Sequence, residues 1–289
     1  MKEGIKKLLT LSRRKFLWLV GVSISGVGLG WVYMRYLEPD WFEVTHKTLP
    51  SAPEGDRRIR ILHLSDFHAS DEVPFEMIDD AIGLGLEEEP DLICLTGDFM
   101  SWALPDAGRY RESLSRLSER APVYACLGNH DGGDWSKPRG GPKDASHIAS
   151  ILEEAGIKVL HNRSEELSLK GRRLNLVGVG DVWNHDVDVL AFFDVRYENA
   201  SLTLLLSHNP DSRRRVEEAD WDLMLCGHTH GGQLIVPVIG TRPFVPISDP
   251  AFSEGLIPWK GRHIHVTRGV GNVHGMRFNC RPEVSLLGV

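Results

Sequence analysis

The chain has 289 residues, 42% hydrophobic and 25% charged, with a formal net charge of -7. That is an ordinary composition for a folded protein with a full core, in one large domain or two small ones, and its acidic balance argues against a general affinity for nucleic acid. An anionic phosphate substrate stays compatible with it if metal cations supply a local positive field.

Residues 1–34 differ from the rest. Basic residues (Lys2, Lys6, Lys7, Arg13, Arg14, Lys15) precede a charge-free run from Phe16 to Met34. As a helix, that run just spans a bilayer, at roughly 1.5 Å per residue across about 30 Å. Ser12-Arg13-Arg14-Lys15-Phe16-Leu17 resembles the twin-arginine export signal, with Trp18 where a lysine is usual. No small-x-small cleavage site follows, since Trp31, Tyr33, Tyr36 and Leu37 are bulky. The expectation is an uncleaved membrane-anchor helix served by the twin-arginine machinery. The basic flank would stay in the cytoplasm and the body outside it.

Residues 35–58, punctuated by Pro39, Pro50, Pro53 and Gly55, read as a linker. From there the pattern alternates: strands at 59–65, 91–96 and 123–127, and helices at 75–89, 109–120 and 144–155. Strands then dominate, at 167–169, 174–179, 202–207, 222–226, 264–267 and 284–287. A helix is expected at 210–218, with Arg213, Arg214 and Arg215 on a solvated face. The first half implies parallel strands covered on both faces, and the second half a further sheet packed on the first. Cys94, Cys126 and Cys226 lie inside these apolar runs, and with Cys280 they read as buried thiols; there is no CxxC pair.

Five polar clusters follow apolar runs of strand length: Asp66-Phe67-His68, Gly97-Asp98, Gly128-Asn129-His130-Asp131, Ser207-His208 and Gly227-His228-Thr229-His230. In open α/β sheets, sites form at the carboxyl ends of strands. Asp, His and Asn are ligand types suited to manganese, iron or zinc. A Gly-Asp pair alone is usually a turn, and Gly-Asn-His-Asp alone can be one too. The ordered set is far more specific.

That set resembles the calcineurin-like metallophosphoesterase superfamily, over residues 59–289. The resemblance implies a four-layer αββα sandwich of two mixed β-sheets. It implies one metal held by Asp66, His68, Asp98 and His230, and a second held by Asp98, Asn129, His208 and His228, with Asp98 bridging. It implies His130 as general acid rather than ligand, and a metal-bridging hydroxide that attacks phosphorus. The twin-arginine start and the Arg35-Tyr36-Leu37-Glu38-Pro39, Thr267-Arg268-Gly269 and Arg281-Pro282-Glu283 stretches resemble an exported bacterial branch.

Protein phosphatases of the superfamily carry an acid and an arginine shortly after the Gly-Asp. Here Ser101 stands in place of the acid and no arginine follows, which argues against a phosphoprotein substrate. Asp131 is the candidate to orient His130. His63 reads as core, and Trp102, Trp135, Trp183 and Trp259 either pack or line an apolar cleft. The expected activity is phosphodiester or phosphomonoester hydrolysis with two divalent metal ions, on a lipid or cell-envelope phosphoester. The alternatives are a UDP-2,3-diacylglucosamine pyrophosphatase-type activity and a non-catalytic scaffold.

Overall fold

A computed structural model describes residues 28–192 and 200–289. Two six-stranded mixed sheets lie face to face. The first has the order β1 (Glu43–Thr48), β12 (Glu283–Gly288), β2 (Arg60–Leu64), β3 (Leu92–Thr96), β4 (Val123–Cys126) and β5 (Lys158–Val159). In it β2 to β5 are parallel, β12 is antiparallel to β2, and β1 is parallel to β12. The second has the order β10 (Gly255–Trp259), β11 (Arg262–Val266), β9 (Leu223–Cys226), β8 (Leu202–Leu206), β7 (Arg172–Gly178) and β6 (Arg163–Leu169). There β7, β8, β9 and β11 are parallel, flanked by antiparallel β6 and β10.

Strand alternation divides the apolar residues between layers. Ile61, Cys94, Tyr124 and Cys126 meet Leu174, Leu176, Leu204 and Leu225 between the sheets. Leu62, Leu64, Ile93 and Ala125 face α1 (Phe75–Glu87), α2 (Ala107–Ser118) and α3 (Ser146–Glu154). Asp106 caps α2 by accepting the Arg109 N–H, and Gly156 follows α3 with φ 78°. All four cysteines are buried free thiols.

Four expectations need correction. The fourth, helical layer is missing among the described residues. Val216, Trp221 and Phe252, with short 3₁₀ turns at Pro210–Arg214 and Pro250–Phe252, cover the outer face of the second sheet instead. The helix expected at 210–218 is therefore one 3₁₀ turn. Arg213 is buried rather than solvated: its guanidinium lies 4.0 Å from the Phe252 ring centre and pairs with Asp211 at 2.7 Å. The linker contains β1, whose polar sequence hides an edge strand. β10 carries Pro258, a residue that an edge strand tolerates.

Most of the anchor expected at 1–34 lies outside the described residues. Residues 28–32 are helical and Tyr33–Leu37 is a π turn. No helix among the described residues is long and apolar enough to cross a membrane. The end of this segment is pinned to the body, because Glu38 is fully buried and its carboxylate accepts the N–H groups of Asn279 and Cys280.

Candidate metal centre

The pairing of β2 with β3 continues past both strands. The N–H groups of Asp66, His68 and Ala69 donate to the C=O groups of Gly97, Asp98 and Phe99 at 3.0, 3.0 and 3.1 Å. Phe67 and Phe99 stack behind this ladder, 5.8 Å between ring centres, so the alternate residues Asp66, His68 and Asp98 share the opposite side. Asp66, His68, Asp98, His228 and His230 have φ of 53°, 48°, 53°, 69° and 50°. Each left-handed residue costs about 1–2 kcal/mol, and five such residues in one place mark a site where geometry is held against that cost. A Cβ at Gly128 would strike the Asp98 carboxylate, and one at Gly227 the Asp66 carboxylate. The approach of the acids thus fixes the glycine of both motifs.

The ends of both sheets meet in two donor groups. Asp66, His68 and His230 form one, and Asp98, His208 and His228 the other; within each, the candidate ligand atoms lie within 4.8 Å of one another. His230 Nε2 is 3.3 Å from Asp66 Oδ1 and 3.1 Å from His68 Nε2. Asp98 Oδ2 is 3.1 Å from His208 Nε2 and 3.5 Å from His68 Nε2, so it touches both groups. Asn129 lines the same cavity. Asn129 Oδ1, His228 Nε2 and His230 Nδ1 are buried with no hydrogen-bond partner in the protein. Buried polar atoms are normally satisfied, so orphaned donor atoms of this type fit a pair of divalent cations.

Burial holds His68 and His230 well below the ordinary imidazole range and His228 at about 3, so these rings are neutral and can offer lone pairs. Burial pushes Asp66 up, while His208 and His130 outweigh burial and hold Asp98 well down. Burial also opposes charge on His208, yet Asp98, Asp66 and Asp181 overcome it and lift that ring well above its usual range. So concentrated an acidic pocket demands positive charge.

His130 lies beside the same groups, its ring 4.7 Å from that of His68. Its orientation comes from a source other than the one expected. Asp131 accepts the N–H groups of Asp98, Phe99 and Gly128 at 2.9, 2.7 and 2.7 Å. It locks the two loops together and leaves the His130 ring alone. His130 Nδ1 donates instead to the Ser101 C=O at 2.9 Å, and the His130 N–H donates to Asp98 Oδ1 at 2.8 Å.

A cavity of about 510 Å³ opens over these groups. Trp102, Trp135 and Trp183 stack in series along it, with ring centres 6.0 and 5.7 Å apart, while Trp259 stacks on Trp221 elsewhere. Phe244, Val273 and Met276 continue the apolar wall. Sequence reading missed three other residues. Asp181 is buried, which pushes its carboxyl up to about 6, and Oδ2 is unpartnered. The fully buried Arg277 donates to the carbonyls of Arg268, Gly269, Gly271 and Cys280 behind Asp66. The third is the carbonyl of Ser101, a residue noted in the sequence only as standing in place of an acid; its hydroxyl also lies 3.3 Å from His68 Nδ1. A Gly-Asp pair after a strand was a usable signal for Asp181; the other two had none.

The Calcineurin-like phosphoesterase family profile matches residues 59–232. The chain is 41% identical to "Phosphodiesterase YaeI" of Escherichia coli (strain K12), covering 96% of this chain and 98% of that one. It is 30% identical to "Uncharacterized metallophosphoesterase YkuE" of Bacillus subtilis (strain 168), covering 96% of each. It is 28% identical to "UDP-2,3-diacylglucosamine pyrophosphatase LpxG" of Chlamydia trachomatis serovar D, covering 90% and 92%. Strand-end donors from two sheets, a buried acid between them and these similarities agree: the chain belongs to the calcineurin-like phosphoesterase family and is a metal-dependent phosphoester hydrolase.

Proposed function

We propose that the chain hydrolyses phosphodiesters outside the cytoplasm, using a pair of divalent cations that Asp98 would share, with His130 as the proton donor. The carrying observation is the position of Asp98 Oδ2, within 3.5 Å of nitrogens from both donor groups. Asp66, His68 and His230 would hold one ion, and Asn129, His208 and His228 the other. When bound, such ions supply Lewis acidity toward phosphoryl oxygens and a water that ionises near neutral pH.

The protein's own groups do the rest. Because Nδ1 of His130 is committed to the Ser101 carbonyl, Nε2 is the nitrogen left for the cavity. A proton held there passes to the leaving oxygen. Trp102 and Trp135 pack beside that ring, 4.9 and 4.5 Å from it centre to centre. Arg139, stacked 4.4 Å over Trp135 at the cavity edge, adds positive charge for an anionic substrate. Support for the location is the basic flank before a charge-free run.

A second reading, cleavage of a lipid-linked pyrophosphate such as UDP-2,3-diacylglucosamine, is favoured by the apolar cavity and by the relative so named. Metal analysis paired with hydrolysis of bis-p-nitrophenyl phosphate and of that pyrophosphate separates the two. Metal-loaded protein that turns over neither would favour a non-catalytic scaffold. Protease shaving of intact cells tests the location, and protection of the body refutes it.

A further inference from the structure

Two exposed apolar segments lie near the cavity: one contributes to its lining, and the other is hydrogen-bonded to Gly275 and Arg277, next to the lining residues His274 and Met276. In the loop 234–246, Val236, Val238, Ile239 and Phe244 are exposed, and Phe244 also lines the cavity. Its tip is closed by hydrogen bonds from the Val236 N–H to the Thr241 C=O and from the Gly240 N–H to the Val236 C=O, each 2.9 Å. Val238, fully exposed, has φ 71°. A β-branched residue in that conformation is a genuine outlier, and leaving it bare in water adds to the cost. The loop's one charged side chain, Arg242, turns inward to the Gly231 C=O and Glu254.

The second segment is 28–41, where Leu29, Trp31, Tyr36, Leu37 and Trp41 are exposed. Alternating backbone bonds of 277–280 tie the two together. The Arg277 N–H donates to the Met34 C=O, and the Asn279 and Cys280 N–H groups donate to the Glu38 carboxylate. Between them, Phe278 donates to the Gln233 C=O and accepts from the Ile235 N–H. The segments therefore lie on opposite sides of one short stretch. The helical one continues a charge-free sequence running back to Phe16. Trp31, Tyr36 and Trp41, with Arg281 stacked 4.3 Å from the Trp41 ring, have the composition of a bilayer interface, and the aliphatic tip suits insertion below it.

We propose that the 236–244 tip and the 28–41 segment form one face that sits in the lipid bilayer surface, so that the cavity draws a phosphoester of an amphiphile directly from the membrane. The catalytic half of this statement rests on the proposed function; the bilayer contact does not.

The test uses the full chain in vesicles of phosphatidylcholine and phosphatidylglycerol carrying nitroxide lipids. The native thiols are buried, so a bimane label reaches only an introduced cysteine. Bimane at Ile239→Cys should shift to the blue and be quenched by shallow nitroxides. At Asp56→Cys, exposed near the start of β2 and away from the site, neither should occur. No quenching at 239, or protection that persists in detergent because two labelled copies meet there, overturns the contact.

The double variant Val238→Asp/Ile239→Asp should lose about tenfold on a phosphatidyl p-nitrophenyl ester in vesicles while holding bis-p-nitrophenyl phosphate turnover within about twofold. Aspartate tolerates the left-handed backbone better than valine, so the fold should survive. An equal rate on the lipid ester overturns the delivery role. Failure of the unaltered chain on the soluble diester overturns the catalytic reading, and the nitroxide result still decides the contact.

Discussion

The floor and the rim of the cavity are built by opposite means. The floor donors sit just past the ends of β2, β3, β8 and β9, or in the loop after β4, and are buried with several held in left-handed backbone. Two sheets and their registers over-determine them. The rim is loop and a short helical segment, exposed and apolar, and is held by backbone hydrogen bonds among Gln233, Ile235, Phe278, Arg277 and Met34 and by the Glu38 carboxylate. A change in the floor should therefore disable chemistry whatever the substrate, whereas a change in the rim should alter which substrate is handled.

The sharpest break of that contrast is Asp98→Ala. Removing the one carboxylate shared by both donor groups should lower bis-p-nitrophenyl phosphate turnover by about 10³-fold or more and empty the site of metal by elemental analysis. Two tightly bound metals in that variant would refute the bridging role. Next is His130→Ala, expected to lose about 10²–10⁴-fold in kcat while metal content stays at the unaltered level. Loss of metal with activity would make His130 a ligand, which its place beside His68 and Asp98 permits.

Asp131→Asn probes how the floor is held. The carboxylate accepts three backbone N–H groups, and an amide cannot serve all three. About 1–3 kcal/mol of stability should be lost in urea unfolding, with a smaller fall in kcat than for His130→Ala. If Asp131 instead oriented the ring, kcat would fall as far as in His130→Ala with stability unchanged.

Much of the floor was legible because its residues follow apolar runs, and a strand end is where a parallel sheet presents ligands. The orientation of His130 was not. The group that holds it is the Ser101 carbonyl, an atom every residue possesses, and Asp131 looked like the partner only because it is adjacent in sequence. The covering of the second sheet was also hidden. Pro210–Arg214 has helix-like composition, but Arg213 folds inward onto Phe252 and Asp211, and tertiary packing overrides local propensity. Strand β1 was hidden for the opposite reason: its alternation is weak, and its partner β12 lies more than 200 residues away.

Beneath the floor, His63 on β2 and His265 on β11 join the two sheets, with Nδ1 to Nδ1 at 3.0 Å. Burial lowers both, His265 to about 4. Above the unfolded value of about 6.5 both are neutral in either state and contribute no pH dependence. As pH falls below it, the unfolded chain takes up protons that the folded one refuses. Stability should then drop by about 1.4 kcal/mol per pH unit for each histidine, down to about pH 4 for His265. Urea midpoints from neutral to acid pH should show this slope flattened in His63→Leu/His265→Leu. An unchanged slope would assign acid sensitivity to the floor alone.

The mildest effect is expected on the wall. Trp135 stacks between Trp102 and Trp183, carries Arg139 on its ring and lies 4.5 Å from His130, centre to centre. It is the central member of a wall whose other two rings also meet the floor, Trp102 at 4.9 Å from His130 and Trp183 at 4.2 Å from His228, so it tests whether wall and chemistry are separable. Removing it takes stacking area from a bound apolar group but none of the donors. Trp135→Ala should raise KM about three- to tenfold for a diester with an acyl or aryl group and leave kcat within about twofold, since uniform binding is what it supplies. Trp135→Phe should restore most of the KM, because a smaller ring keeps the stack. A fall in kcat matched by His130→Ala would mean that the wall sets the His130 geometry, and the division between floor and rim would then fail at that residue.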